Sequence, residues 1–271
     1  MPCATLNRCI ARLALSAMAL SAIPAQAEID LGSLDFLASD KPHSPIPSGL
    51  IVGGVVFGGQ ARYQAAQDAA GYAIPGLIYF GEHLMYLGDR ARYYFYKENK
   101  LGLYAYGRVR FGNLDPEDNA ALAGMLKRKG QLEAGVGLNY ALPFALLSMR
   151  VSSDITGNSR GQEALFWTDF PIVRDNLLIM PGMGVMVRSS KMANYYFGGV
   201  SAQEASNSRP SWDTGSTVSP MLAIISSYRF NKSWIGMAAV NYELYDKNIQ
   251  NSPIVQHRGE FYAGMGLGYI W

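Results

Sequence analysis

Cysteine is nearly absent from this chain of 271 residues: there are two, Cys3 and Cys9, at its very start. Histidine is almost as scarce, with His43, His83 and His257 making three. Beyond the first thirty positions no apolar run reaches the ~18 residues that a membrane-spanning helix needs. No long run of Lys and Arg occurs either, Lys127-Arg128-Lys129 being only a triplet, so nothing suggests binding to nucleic acid. Few thiols and few imidazoles remove the usual nucleophiles, bases and soft metal ligands.

The first segment accounts for part of this poverty. Arg8 and Arg12 precede an apolar run from about Leu13 to Ile23, followed by Ala25-Gln26-Ala27. This is the pattern of a secretory signal peptide, with cleavage expected after Ala27. Processing removes both cysteines, so thiolate chemistry is excluded from a chain bound for a compartment where disulfides form. It also takes two of the 23 basic residues, which then equal the 21 acidic ones. The precursor's charge of +2 therefore says nothing about partners.

Glycine, at 29, and tyrosine, at 17, are what the chain has in excess. Its apolar residues are dispersed in alternation. Across 101–111, Leu101, Leu103, Ala105, Val109 and Phe111 share one parity, and Tyr104, Tyr106, Arg108 and Arg110 the other. Residues 131–140 and 145–154 repeat this, and Arg90, Arg92, Tyr94 and Tyr96 fall on one face. Period two marks strands between two different environments. Weaker segments at 50–61, 72–80, 163–170, 177–188, 218–230 and 234–245 bring the count to eleven with 261–271, each near the ~10 residues of a tilted transmembrane strand.

Phe261, Met265, Leu267, Tyr269 and Trp271 form an apolar row that ends the chain inside a strand, with Gly264, Gly266 and Gly268 between them. Such a terminal strand is what outer-membrane assembly machinery reads. Connections alternate between tight (141–144, 174–176, 231–232) and long (112–130, 155–162, 189–217, 246–259), as in an up-and-down barrel with short periplasmic turns. Aromatics near strand ends, Tyr140, Trp167, Tyr228, Trp234 and Trp271, suggest interface girdles. The expected fold is all-β: an antiparallel transmembrane β-barrel of about 10–12 strands. Twelve is preferred because the number should be even, with 31–37 and 194–200 as candidates for the missing strand. The expected organisation is a signal peptide over 1–27, a periplasmic lead over 28–47 and a barrel over 48–271, embedded in outer-membrane lipid.

On this parity Arg90, Arg92, Arg108, Arg110, Glu133, Arg150, Asp154, Arg229 and Glu243 face the lumen. Two readings compete: a cationic passage for anionic solutes, or an interior packed with paired charges. The second is preferred because both signs occur on neighbouring strands. No histidine sits in a nucleophile motif, and Ser252, Asp246 and His257 merely share a polar loop, so no catalytic residue, cofactor or enzymatic activity is expected. Asp115, Glu117 and Asp118 lack the spacing of a calcium loop; a solvated turn is preferred and no metal site is assigned. The stretch 116–130 reads as a short helix or helical turn within a loop.

Several segments together resemble the MipA/OmpV family of outer-membrane proteins: "YAIPGLIYFGEHLMY" (72–86), "LAGMLKRKGQLEAGVGL" (122–138), "NYYFGGVSAQEA" (194–205) and "NSPIV" (251–255). They run in family order over nearly the whole mature chain. Departures are Asn251 in place of Asp and an extra glycine in Phe197-Gly198-Gly199-Val200. The resemblance implies an outer-membrane barrel. In one branch it further implies a scaffold joining a lytic murein transglycosylase to a murein synthase; the other branch implies a porin-like or adhesin-like surface protein. It supplies no catalytic residues.

Overall fold

Alternating faces can be satisfied in lipid only if the strands leave no edge, because hydrocarbon offers no partner to a free N–H or C=O. The chain meets this demand by closing on itself. A computed structural model describes residues 34–271 except 42, 65–68, 99, 118 and 119; the expected signal peptide and the first part of the lead lie outside the described residues. The strands are β1 (Gly49–Gln60), β2 (Ala69–Phe80), β3 (Leu84–Leu87), β4 (Arg90–Glu98), β5 (Leu101–Arg110), β6 (Gln131–Ala141) and β7 (Leu146–Asp154). They continue with β8 (Gln162–Asp169), β9 (Ile172–Arg174), β10 (Leu177–Arg188), β11 (Thr217–Arg229), β12 (Trp234–Leu244) and β13 (Gly259–Ile270). Each pairs antiparallel with its neighbours, and β13 pairs with β1 to close the cylinder. Because β9 continues β8 along the same edge of β10, thirteen segments make a barrel of twelve strands.

The strand that periodicity missed is β3, not 194–200 or the described part, 34–37, of 31–37. With four residues between two turns, it is too short to show alternation, and it falls in what reads as a connection after His83. Leu34–Leu37 is instead a helical turn (α1). Ser190–Tyr196 is a helix (α2) capped by Ser189, whose side chain accepts the Met192 N–H. A shorter helix, α3, spans Lys247–Gln250. Two further corrections concern faces. The pairing of β4 with β5 shifts register between Tyr94 and Tyr96, a bulge that turns Tyr96 outward while Tyr94 stays buried. Trp167 is no girdle residue: it points inward and donates from Nε1 to Asp169.

The outward faces are apolar and exposed almost all round, with Val56, Val136, Val151, Leu222, Met265 and Leu267 as examples. A soluble sandwich would bury such a surface against a second sheet; here the lumen-facing side is the buried one. At the end holding the C-terminus, Tyr228, Phe230, Trp234, Tyr269 and Trp271 are exposed. Tyr269 lies 5.5 Å from Trp234 and 6.2 Å from Trp271, edge to face. This is an aromatic belt at the periplasmic rim. Phe261, Met265, Leu267 and Tyr269 all point outward from β13, while Gly264 and Gly266 turn inward.

Closure depends on an approach that only glycine permits. A Cβ on Gly53 would stand 2.0 Å from the Leu267 carbonyl oxygen across the β1–β13 seam. Gly53→Val is expected to force the seam apart and cost at least about 1–3 kcal/mol, the usual range for overpacking. Urea titration of heat-modifiable gel migration should show a lower midpoint than for Gly54→Val, whose Cβ would meet open space.

The plugged lumen as candidate functional site

Of the expected lead, the described residues are packed against the barrel. Residues 34–48 fold into the barrel's periplasmic end, where Leu34 and Ile46 are fully buried against Ile51, Phe80, Met85, Met180, Ile225 and Ile235. Polar contacts hold the same segment: Ser227 Oγ donates to the Pro45 carbonyl (3.0 Å), and Asp35 lies 3.7 Å from Arg92. Phe36 packs on Tyr94 at 6.1 Å. Asp40, Lys41 and His43 form the exposed tip, with His43 Nδ1 3.3 Å from Asn176 Oδ1. The segment is a plug.

The opposite mouth is covered as well. Loops 111–130, 189–216 and 245–258 share an apolar cluster that includes Leu114, Met125, Met192, Tyr196, Val200 and Ile254. Phe197 is its anchor to the barrel, sandwiched between the guanidinium groups of Arg62 and Arg188 at 4.2 and 3.8 Å from the ring centroid. Those two arginines pair in turn with Glu260 and Glu243. Within the cap, Glu204 bonds Arg128 at 2.8 Å and accepts N–H groups from Leu126 (2.9 Å) and Ser201 (3.0 Å). Burial raises its pKa, but the bonds from Arg128, Leu126 and Ser201 outweigh burial and push it down to about 2. The stretch 116–130 contains a helical turn within the loop, the 3-10 turn Ala120–Leu122.

Between plug and cap, one wall carries charge. Arg92, Arg108, Arg110, Glu133 and Arg150 are all buried and inward-facing. Arg110 pairs with Glu133 and, at 2.6 Å, with Glu163. Arg108 and Arg150 lie 3.7 and 3.5 Å from the same Glu163. Arg90 pairs with Asp89 at 2.9 Å, and Arg108 reaches the other oxygen of that carboxylate at 3.4 Å. Arg150 stacks on Tyr106 and Arg92 on Tyr104, at 4.4 and 4.9 Å. Periodicity overlooked Asp35, Arg62, Glu163, Arg188 and Glu260. The alternation in 163–170 and 177–188 held the signal for Glu163 and Arg188. Asp35 and Arg62 lie outside strands, where period two does not apply.

Two residues grouped with the lumen charges do other work. Asp154, at the end of β7, accepts the backbone N–H groups of Thr156, Gly157, Ser159 and Arg160 and so shapes the turn that follows. Arg229 donates to the carbonyls of Lys41 and Asn231 at the periplasmic rim. Ser252, Asp246 and His257 are not assembled into a triad: Ser252 Oγ donates to the Gly198 carbonyl, and Asp246 caps α3. Asp115 pairs with Lys127 and accepts the Glu117 N–H, while Asp118 lies outside the described residues.

Residues 52–271 match the protein family described as MltA-interacting protein MipA. The chain belongs to the MipA family. The MltA-interacting protein of Escherichia coli K12 is 22% identical over 203 residues, covering 73% of this chain and 81% of that one. Outer membrane protein Omp26La of Vibrio anguillarum is 27% identical over 208 residues, covering 75% and 79%. Among solved structures, an outer membrane channel from Pseudomonas putida F1 superimposes with a TM-score of 0.43 at 9% identity, over 83% of this chain and 97% of that one. This MipA-family chain is an outer-membrane protein of Gram-negative type.

Two outcomes follow from these contacts. Arg110→Ala takes from Glu133 its paired arginine and from Glu163 one of three. It is expected to cost about 3–5 kcal/mol, as removal of one member of a buried pair does; a urea midpoint on the reconstituted barrel measures it. For Glu204 the folded pKa lies below the ordinary 4.5. Its contribution to the cap is therefore full above that value and fades as pH falls toward about 2. Pepsin should cut loops 111–130 and 197–216 rapidly near pH 2 and slowly near pH 4.5, and Glu204→Gln should be cut rapidly at both.

Proposed function

We propose that this barrel is a non-enzymatic docking platform for a murein-cleaving transglycosylase, and through it for a murein synthase, at the inner face of the outer membrane. One observation carries the reading: apolar side chains of residues 34–48, Leu34 and Ile46 above all, pack into the periplasmic mouth. Apolar packing of plug and cap at the two mouths weighs against the open polar path of a channel. The name of the Escherichia coli relative, MltA-interacting protein, supports the same choice.

A platform needs a surface, and the periplasmic end offers one of mixed charge. Asp40 and Lys41 of the plug tip lie exposed, as do Glu82, Arg174, Asp175 and Lys232 in the turns around it. Complementary charges on a partner would steer encounter and set register more than they would add affinity. A porin-like channel or a surface adhesin acting through loops 189–217 and 246–259 are the competing readings.

Crosslinking of intact cells carrying a tagged copy is expected to recover a murein transglycosylase well above an unrelated barrel control. Reversing the tip and turn charges together (Asp40→Lys, Lys41→Asp, Asp175→Lys, Lys232→Asp) should cut recovery about tenfold while gel migration stays that of a folded barrel. Undiminished recovery would place docking elsewhere. Stepwise conductance of the wild-type barrel in a planar bilayer would restore the channel reading.

A further inference from the structure

The barrel wall has a gap, and it leads into an apolar cavity. In antiparallel pairing both backbone groups of a residue turn to the same neighbour, and successive residues alternate. The Gly81 N–H donates to the Leu84 carbonyl across the β2–β3 turn, while Trp271 N–H donates to Leu50 on the far side of β1. Together these set the odd-numbered residues of β2, among them Ala73, Pro75, Leu77 and Tyr79, toward β3. Strand β3 pairs only with Ile78–Phe80. Its hairpin with β4 then turns back at Gly88 and Asp89, so among the described residues nothing pairs with the edge of β2 from Gly71 to Leu77.

An open edge in a bilayer is costly and is ordinarily filled or covered. Here it is blunted at one position. Pro75 lies on that edge and has no N–H to leave bare, and proline blocks any further strand from zipping on.

Behind the gap lies a cavity of about 420 Å3. That is within the roughly 300–1,000 Å3 of small-molecule sites. Its lining is apolar except for Asp89, Arg90 and Tyr262. It runs from lumen-facing Ile51, Ile225 and Ile235 to lipid-facing Leu77 and Val109, so the interior and the flank of the barrel share one space. Gly76, Gly264 and Gly266 keep the inner wall bare, and the lumen-facing Val55, Phe57, Ile74 and Ile78 remain half exposed. The charged wall opposite is fully buried by contrast.

We infer that this cavity binds one alkyl chain, admitted sideways from the bilayer through the gap between β2 and the β3–β4 turn. The chain would lie on the glycine wall of β1, β2 and β13. Its polar end would remain at the rim, beside the paired Asp89, Arg90 and Arg108. An apolar cavity of this kind stays dry and gains by taking apolar matter. Plug and cap occupy the two mouths, which leaves the flank as the route for such a guest.

Native mass spectrometry of the folded, purified barrel tests this, with oleic acid and dioleoyl phosphatidylethanolamine supplied in separate incubations. The expected result is one retained adduct per chain with at least one of the two. Retention of the phospholipid assigns the site to bilayer lipid, and retention of oleic acid alone assigns it to free fatty acids. Val55→Trp and Ile74→Trp, whose rings would fill the cavity, should lower occupancy at least tenfold; Val136→Trp on the outward face should leave it unchanged. Absence of an adduct with both probes on the wild type would overturn the proposal, whatever the fate of the variants. So would equal retention by folded Val55→Trp and Ile74→Trp.

Discussion

Every feature of this molecule answers to one constraint: inside a bilayer, a backbone N–H or C=O must find its partner in the protein. Twelve strands closed on themselves satisfy it everywhere but along the edge of β2 from Gly71 to Leu77. The seam between the first strand and the last is part of the same ladder, and the close approach at Gly53 lets the two backbones meet. Once the cylinder is closed, its outer face is left to lipid and its inner face to whatever the side chains can pack. Sequence alternation is the visible trace of that division.

The interior is itself divided. From β4 to β8 the wall is lined with arginines, glutamates and tyrosines, whereas β1, β2 and β13 present glycine and small aliphatic residues. Buried ion pairs of this kind add little net stability compared with apolar packing. They do make each partner indispensable, since a lone charge there has no solvent. Glu163 shows the economy of the arrangement: one carboxylate lies within reach of Arg108, Arg110 and Arg150 from two other strands. Phe197 extends the same logic upward, joining cap to barrel through two arginines that are already paired below it.

Most of the barrel was legible because a two-sided environment writes a two-residue period, and ten-residue strands are long enough to display it. The failures have local causes. Strand β3 has four residues, too few for any period to register. One bulge reverses the parity of β4 after Tyr94, so Tyr96 was assigned to the wrong face. Trp167 carries a polar N–H that Asp169 satisfies inside, and composition cannot distinguish that from a rim position. Residues 34–48 lack periodicity altogether. Their apolar members, Leu34 and Ile46, find burial only through the shape of a lumen that the remaining chain builds. The same holds for Arg62 and Glu260, 198 positions apart in sequence and in contact in space.

The plug also imposes an order on assembly. It leads directly into β1, and β1 is paired on one edge with the final strand. A cylinder of this connectivity cannot close until its final strand, Gly259–Ile270, has been delivered, well after the plug. If the segment is not yet seated when the seam forms, it has only the periplasmic mouth of a finished ring by which to enter. A segment seated before the seam forms would double as a mandrel, around which the sheet curls before its ends are joined.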